Sequence, residues 1–361
     1  MKISHASSID DSQEILNFNN QAVSWYAQNA RSLPWRAMMG ETANPYHVWL
    51  SEIMLQQTTV TAVIPYFEKF INLWPRVDGL AAADEAAVMD AWAGLGYYSR
   101  ARNLHKCAKV VCDEYGGEFP QEEKLLLKLP GIGPYTAAAI MAIAFGQRAA
   151  VMDGNIERIF ARYRHVEGFL PDIKPILKDY TQLYMLDDSV FDPSSLAQAL
   201  MDIGATICQP KRARCTECPL SQGCVSYLDA DLKPLDYPRK KVKERPKRYG
   251  VCFIVENDSQ GYLIERRPKK GLFANMYGLP MHMEDDEAEM LKRFSGCEIK
   301  QNQFVEHIFT HFHLKLYVVK LGVGAFYDLG LFDNINTEWV SCAEIRDVSL
   351  PSLFSKVVKI I

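Results

Sequence analysis

No run of eighteen apolar residues occurs in the 361-residue chain, so no segment reads as a membrane-spanning helix. The opening MKISHASSIDDSQEI lacks an apolar signal core, and the nine cysteines, an odd number in a long protein, argue against a disulfide framework. A reducing, intracellular compartment is expected, cytoplasmic or nucleoid if the source is bacterial. Charge of one sign is also lacking: the net charge is only -4. That average hides a local asymmetry.

Between Lys233 and Arg248 eight basic residues stand against two acidic ones, with three prolines among them. The stretch reads as an extended linker that either stays solvated or lies along phosphates. Before it, apolar residues repeat with long helical periodicity; after it, they alternate in short strands. A multidomain chain is expected: an all-α domain over residues 1–228, the linker over 229–248, and an α+β domain over 249–361.

Cys208, Cys215, Cys218 and Cys224 stand at C-x6-C-x2-C-x5-C, interleaved with Lys211, Arg212 and Arg214. The spacing implies a metal centre next to something anionic. Zinc ligands usually come as two short-gapped pairs, whereas here only the central gap is short; four thiolates with long outer gaps also suit an iron–sulfur cube. Spacing alone leaves both open, and a redox role with them.

Asn44 can cap a helix, Pro45 suits its first position, and Trp49, Ile53 and Val60 mark an apolar face, placing Glu52, Gln56 and Thr59 on another. Glu52 is either a solvated surface carboxylate or, given a pocket, an acid–base group. Leu129-Pro130-Gly131-Ile132-Gly133-Pro134-Tyr135-Thr136-Ala137 is a two-glycine turn between helical segments Glu122 to Lys128 and Tyr135 to Phe145. It has the signature of a helix-hairpin-helix. Gly131 and Gly133 let the backbone approach a phosphate, towards which the second helix points its amides. Such a hairpin grips DNA without reading its sequence; the alternative is a plain αα-turn. Asp153, in Met152-Asp153-Gly154-Asn155, opens a further helix over Ile156 to Tyr163. It is an ordinary cap or an ionised carboxylate able to stabilise a cation.

Together Trp49-Leu50-Ser51-Glu52, Met54-Leu55-Gln56-Gln57-Thr58, Gly94-Leu95-Gly96-Tyr97-Tyr98-Ser99-Arg100, the hairpin, Met152 to Asn155 and the four-cysteine loop resemble MutY-type adenine DNA glycosylases, within the helix-hairpin-helix glycosylase superfamily. The resemblance runs from about Ile15 to the end. It implies one 4Fe-4S cluster on Cys208, Cys215, Cys218 and Cys224, shaping a DNA-gripping loop rather than turning over substrate. It also implies a monomer that binds double-stranded DNA containing adenine opposite 8-oxoguanine or guanine, and flips the adenine into a pocket. Gln56, Gln57 and Thr58 then lie at the duplex, Gln57 as the wedge; Tyr97 stacks beside the lesion, and Arg36 and Gln198 line the adenine pocket. Glu52 protonates the base and later assists water, Asp153 stabilises the oxocarbenium-like sugar, and Asn155 and Tyr135 orient the pair. Endonuclease III-like relatives carry a lysine where this chain has Tyr135, so a monofunctional glycosylase is expected, without Schiff-base strand cleavage. The alternatives are a bifunctional endonuclease III-like glycosylase/lyase, opposed by Tyr135, and a non-catalytic redox-sensing damage binder, opposed by the Glu52/Asp153 pair.

After the linker, Tyr249 to Val255 and Gly261 to Arg267 read as strands around an Asn257-Asp258-Ser259-Gln260 turn, with more strand at Ile308 to Lys320 and near Glu338 to Val340. A helix is expected at Glu287 to Phe294 and another at the C-terminus. This domain resembles the Nudix fold, which the family uses to recognise oxidised guanine, but Glu284 to Phe294 lacks the Arg-Glu and Glu-Glu metal-binding pattern of Nudix hydrolases. Nucleotide hydrolysis is not expected. The loop His307-Ile308-Phe309-Thr310-His311-Phe312-His313 resembles the family's lesion reader, with Phe309, Thr310 and His311 at its centre and threonine where serine is common. Its three alternating histidines could otherwise bind a metal.

Overall fold

In chain order the helical region runs α1 (Ile9–Asn29), α2 (Pro45–Leu55), α3 (Val60–Leu73), α4 (Val77–Ala82), α5 (Glu85–Trp92), α6 (Ser99–Tyr115), α7 (Glu123–Leu126), α8 (Pro134–Ala139), α9 (Gly154–Tyr163), α10 (Lys174–Met185), α11 (Pro193–Thr206) and α12 (Val225–Leu228). The computed structural model describes residues 9–37, 41–241, 244–268, 271–274, 276–309, 311–330, 336–348 and 350–360. Contacts divide the chain into two units: Met1–Val88 with Ser99–Val242, and Met89–Tyr98 with Lys243–Ile361. Among the described residues no helix is long and apolar enough to cross a membrane.

The first unit is helical because its apolar residues recur at helical spacing and find aromatic partners. Phe18 of α1 packs edge-on against Tyr163 of α9 and Tyr184 of α10, with ring centroids 4.8 and 4.7 Å away. Asn44 caps α2 as expected, accepting from the Tyr46 amide at 2.9 Å. The expectation that Val60, Gln56 and Thr59 continue that helix is corrected: α2 stops at Leu55. Gln57 takes a left-handed backbone at φ +58°, and Thr59 caps α3 instead. Buried Arg100 holds the stop in place, donating to the carbonyls of Ile53 and Met54 at 2.9 and 2.7 Å. The hairpin is present, with Gly131 at φ +79°; its second helix, α8, changes to π-helical turns over Ile140–Ala144.

The stretch expected to be a freely extended linker is docked in its first half. Tyr237 is buried, its ring edge-on to His165 at 4.7 Å, and its carbonyl accepts from Arg162 at 2.9 Å. Beyond it β2 (Arg239–Lys240) pairs in parallel with β1 (Phe169–Leu170). Apolar burial of one tyrosine and a backbone ladder outweigh the solvation of the neighbouring charges.

The second unit carries a seven-stranded sheet of β3 (Lys247–Asn257), β4 (Gly261–Arg266), β5 (Tyr277–Gly278), β6 (Met281–Glu284), β7 (Phe304–Ile308), β8 (His313–Gly322) and β9 (Asn336–Val340). β3 pairs in parallel with β8, and the other pairings are antiparallel. Both faces are covered, which explains the nearly unbroken apolar run of β3. Val251, Phe253 and Val255 face α13 (Glu287–Arg293) and α14 (Val323–Tyr327), through Met290 and Phe326. Cys252 and Ile254 face α15 (Ser352–Val358), through Leu353 and Phe354. The single strand expected over Ile308 to Lys320 is instead the second half of a hairpin, because the chain reverses between Ile308 and His313, which pair.

Candidate active site

Glu52 lies on α2 at only 6 % exposure, and Tyr135, at the start of α8, donates its hydroxyl to Glu52 Oε2 at 2.6 Å. Burial pushes the Glu52 carboxyl up to about 7; the Tyr135 hydrogen bond and Arg36 pull it back, and the Asp153 charge adds to the rise. Burial also drives the Tyr135 phenol well above its ordinary value, so it remains a donor.

Asp153 caps α9 and lines the same cavity as Glu52. Its Oδ1 accepts from the amides of Asn155 and Ile156 at 2.9 and 2.8 Å, and its Oδ2 from the Asn155 side chain at 2.7 Å. Burial raises this carboxyl too, against those donors and the Arg158 charge, which pull it down. Three donors oppose the effect of burial on Asp153, against one on Glu52. Asn155 is fixed in turn by Arg158, whose Nη2 donates to its Oδ1 at 2.9 Å. The neighbouring helix α11 comes close enough to pin Asn155 because it presents Gly204: a Cβ there would lie 2.5 Å from Asn155 Cβ.

A cavity of about 860 Å³ joins the expected residues: Glu52, Gln56, Gln57, Thr58, Gly131, Gly133, Tyr135, Asp153 and Asn155 all line it. That volume is in the range that encloses a whole ligand. A smaller pocket of about 50 Å³ shares Glu52 and is lined by Arg36 and Gln198. Arg36 is held there by Asp202, at 2.7 Å from each of its oxygens, and Arg31 meets the same carboxylate. Burial works against the Asp202 charge, but the two guanidiniums hold the group below its ordinary range. Tyr97, in the segment grouped with the second unit, is 47 % exposed at φ +49°.

Sequence reasoning missed Arg31, Asp202, Lys174 and Gly204. Only Asp202 gave a signal, as a lone acid in the apolar run Leu196 to Ala205. The others act through partners far away in the chain.

Cys208, Cys215, Cys218 and Cys224 line one pocket below α9, all as free thiols. No three His, Cys, Asp or Glu side chains among the described residues converge tightly enough to hold a single ion. A tetrahedral zinc would draw its sulfurs to about 3.8 Å of one another. Arg162, 2 % exposed, donates to Cys208 Sγ at 3.2 Å and otherwise to the carbonyls of Gln209 and Tyr237. A buried guanidinium without a carboxylate partner among the described residues calls for an anion in that pocket. The loop closes on α9 at Gly223, where a Cβ would meet Tyr163 Oη at 2.1 Å.

In the second unit, Phe309 is half-buried, stacked on Phe312 at 4.6 Å and near Phe273 at 5.8 Å, while His311 is exposed. Thr310 lies outside the described residues. The hairpin reversal removes the regular alternation of His307, His311 and His313. Three of the acidic residues before and within α13 are engaged by bases: Glu284 with Arg293 at 3.0 Å, Asp285 with Arg248 at 2.5 Å and Glu287 with Lys315 at 2.8 Å.

Residues 50–180 match the family described as HhH-GPD superfamily base excision DNA repair protein, and residues 251–359 match the NUDIX domain. A solved thermostable thymine-DNA glycosylase superposes with a TM-score of 0.52 at 28 % identity, over 60 % of this chain and 98 % of that one. The adenine DNA glycosylase of Buchnera aphidicola subsp. Schizaphis graminum is 32 % identical over 95 % of this chain and 98 % of its own length. That of Mus musculus is 31 % identical over 87 % of this chain and 72 % of its own. With two buried carboxylates lining one cavity beside a two-glycine helix-hairpin-helix turn, and likeness at this level along nearly the whole chain, the protein belongs to the adenine DNA glycosylase family.

Proposed function

We propose that the chain excises adenine paired with 8-oxoguanine or guanine in double-stranded DNA, hydrolysing the N-glycosidic bond and leaving an abasic site. The observation that carries this reading is Glu52: a buried carboxyl poised near neutrality, hydrogen-bonded to Tyr135 and facing Asp153 across one cavity.

Adenine leaves poorly as an anion, so the bond to the sugar breaks when the base is protonated. Protonated Glu52 supplies that proton; the bonding electrons pass to adenine, and positive charge develops on the sugar. Asp153, whose three donors oppose the rise that burial imposes, lies where its carboxylate stabilises that charge, and Asn155 fixes its direction. Water then adds to the sugar carbon and gives up a proton to Glu52. Tyr135 offers a phenol, not an amine, so no Schiff base forms there and the strand stays intact.

The hairpin amides at Gly131 and Gly133 would take a backbone phosphate, and Gln56, Gln57 and Thr58 would meet the duplex where the nucleotide leaves it. Gln57 is preset as the wedge by its left-handed backbone. The Gln198 amide nitrogen is held by Ser194, at 3.3 Å to the carbonyl and 3.2 Å to Oγ, which offers a carbonyl acceptor to the exocyclic amine of adenine. Arg36, fixed by Asp202, frames the same pocket, which must widen to admit a base. Tyr97, Phe309, Thr310 and His311 are assigned to the 8-oxoguanine side, and the second unit to reading rather than hydrolysis. The chain is assigned as a monomer.

The four cysteines and buried Arg162 fit one 4Fe-4S cluster better than a single zinc ion. Such a cluster, when bound, braces the loop bearing Lys211 and Arg212. Purified protein should then carry about four irons and four acid-labile sulfides per chain.

Single-turnover incubation with duplexes carrying adenine opposite 8-oxoguanine, guanine or thymine, followed by alkaline cleavage, tests the reading. Cleavage at adenine opposite the two guanine forms is expected, and none opposite thymine. Absence of adenine release from every duplex would remove the enzymatic assignment.

A further inference from the structure

The cavity that holds Glu52 and Asp153 is also lined by Lys174, the first residue of α10, whose Nζ lies 2.6 Å from Glu157 on α9. Lys174 is half-exposed, whereas Glu157 is nearly buried at 11 % side-chain exposure. The other lining cation, Arg31, is bonded to fully buried Asp202. Lys174 is therefore the lining cation with solvent in front of it and a replaceable anion behind it.

A second set of cations, on β2, is paired with the strand that ends four residues before Lys174. β1 ends at Leu170, and the turn to α10 is closed by bonds from the Ile173 and Lys174 amides to the carbonyls of Phe169 and Pro171. β2 lies alongside β1, with Arg239 opposite Phe169 and Lys240 opposite Leu170. Paired strands run about 4.8 Å apart, so the basic side chains of β2 sit beside the turn that leads into Lys174. Both Arg239 and Lys240 are exposed, and neither forms an ion pair among the described residues; Lys241 is already paired with Asp172 at 2.7 Å. A charge run that only needed solvation would gain nothing from a strand pairing that fixes its position.

We propose that Lys174, Arg239 and Lys240 form a cationic track that takes successive backbone phosphates of the DNA strand entering the cavity, with Glu157 holding Lys174 in place until a phosphate displaces it. This rests on the DNA-glycosylase reading above. Phosphate contacts of this kind position the strand without reading sequence. The buried Glu157 carboxylate keeps the long lysine side chain ordered at the cavity mouth, and competes with the phosphate for it.

The test is DNA affinity of the full-length, cluster-loaded protein for a duplex with adenine opposite 8-oxoguanine, measured across a salt series. Each phosphate contact contributes about 0.9 to the slope of log affinity against log salt, about eightfold in affinity at 0.1 M. Lys174→Ala should flatten the slope by about one unit and Arg239→Ala/Lys240→Ala by about two. Glu157→Gln should tighten binding with the slope retained. Lys178→Ala, an exposed charge on α10 outside the cavity lining, is the control and should match wild type. Thermal melts establish that each variant is folded. If either the Lys174 variant or the double variant is folded and keeps the wild-type slope and affinity, the track is wrong. If wild type itself neither binds nor cleaves the duplex, the glycosylase reading fails instead.

Discussion

Tyr135 and Glu52, 83 positions apart in the chain, meet in a 2.6 Å O–H···O bond that opposes the rise burial imposes on the Glu52 carboxyl. Burial alone would push Glu52 higher still; the phenol draws it back. Tyr135→Phe should therefore move Glu52 further up and shift the pH at which excision fades to higher values. The rate at neutral pH should drop roughly ten- to hundredfold, the worth of a hydrogen bond to a charged group. A pH series of single-turnover rates checks both; an unmoved profile would mean the hydroxyl does not act through Glu52.

The raised Glu52 carboxyl also has a stability signature. Its folded value, about 7, lies above its ordinary 4.5, so the folded state binds the proton more tightly and stability falls as pH rises between those values. Above pH 7 the ionised, buried group costs on the order of 3 kcal/mol. Glu52→Gln removes the titration, so its stability relative to wild type should improve by about that much between pH 4 and pH 8. Denaturant unfolding at several pH values measures it; a pH-independent difference would place Glu52 in solvent.

Asp153 caps α9 and is proposed to stabilise the sugar cation, and one substitution separates the two roles. Asparagine caps a helix as well as aspartate does, so Asp153→Asn should unfold within about 0.5 kcal/mol of wild type. It cannot hold a negative charge beside the developing cation, so the excision rate should fall by at least about a hundredfold. Parallel loss of stability and activity would reduce Asp153 to a cap.

The two carboxylates and the hairpin were legible because each sits in a local motif: Pro45 and Asn44 announce α2, the paired glycines announce the turn, and Asp153 stands where a cap belongs. What the sequence did not disclose is set by tertiary contacts. α2 ends at Leu55 because buried Arg100 satisfies its last carbonyls, 46 and 47 positions away. Helical periodicity alone would have run on to Val60. Likewise the basic stretch read as an extended linker, yet Tyr237 and β2 dock on the helical unit, and nothing local to Arg36 marks Asp202, 166 positions away, as the group that holds it. The hairpin between β7 and β8 was missed because Ile308 to His313 has no glycine or proline to mark the reversal.

Gly204 tests how tightly the Asp153 geometry depends on close packing. An alanine there brings its Cβ to 2.5 Å from Asn155 Cβ, and the neighbour it meets is partly backbone, at 3.1 Å. Gly204→Ala should cost about 1–3 kcal/mol of stability and slow excision by displacing Asn155. Equilibrium unfolding together with single-turnover rates reads both effects. A variant as stable and as active as wild type would show that the start of α9 can shift without consequence.

The central claim is hydrolytic removal of adenine by Glu52, without covalent attachment to the strand. Its most direct measurement is product analysis after one turnover on a duplex with adenine opposite 8-oxoguanine, with borohydride present in a parallel sample. The account predicts free adenine from wild type, a strand that breaks only after alkali, no trapped crosslink, and no release from Glu52→Gln. Adenine release that survives Glu52→Gln, or a strong borohydride-trapped protein–DNA adduct, would contradict it.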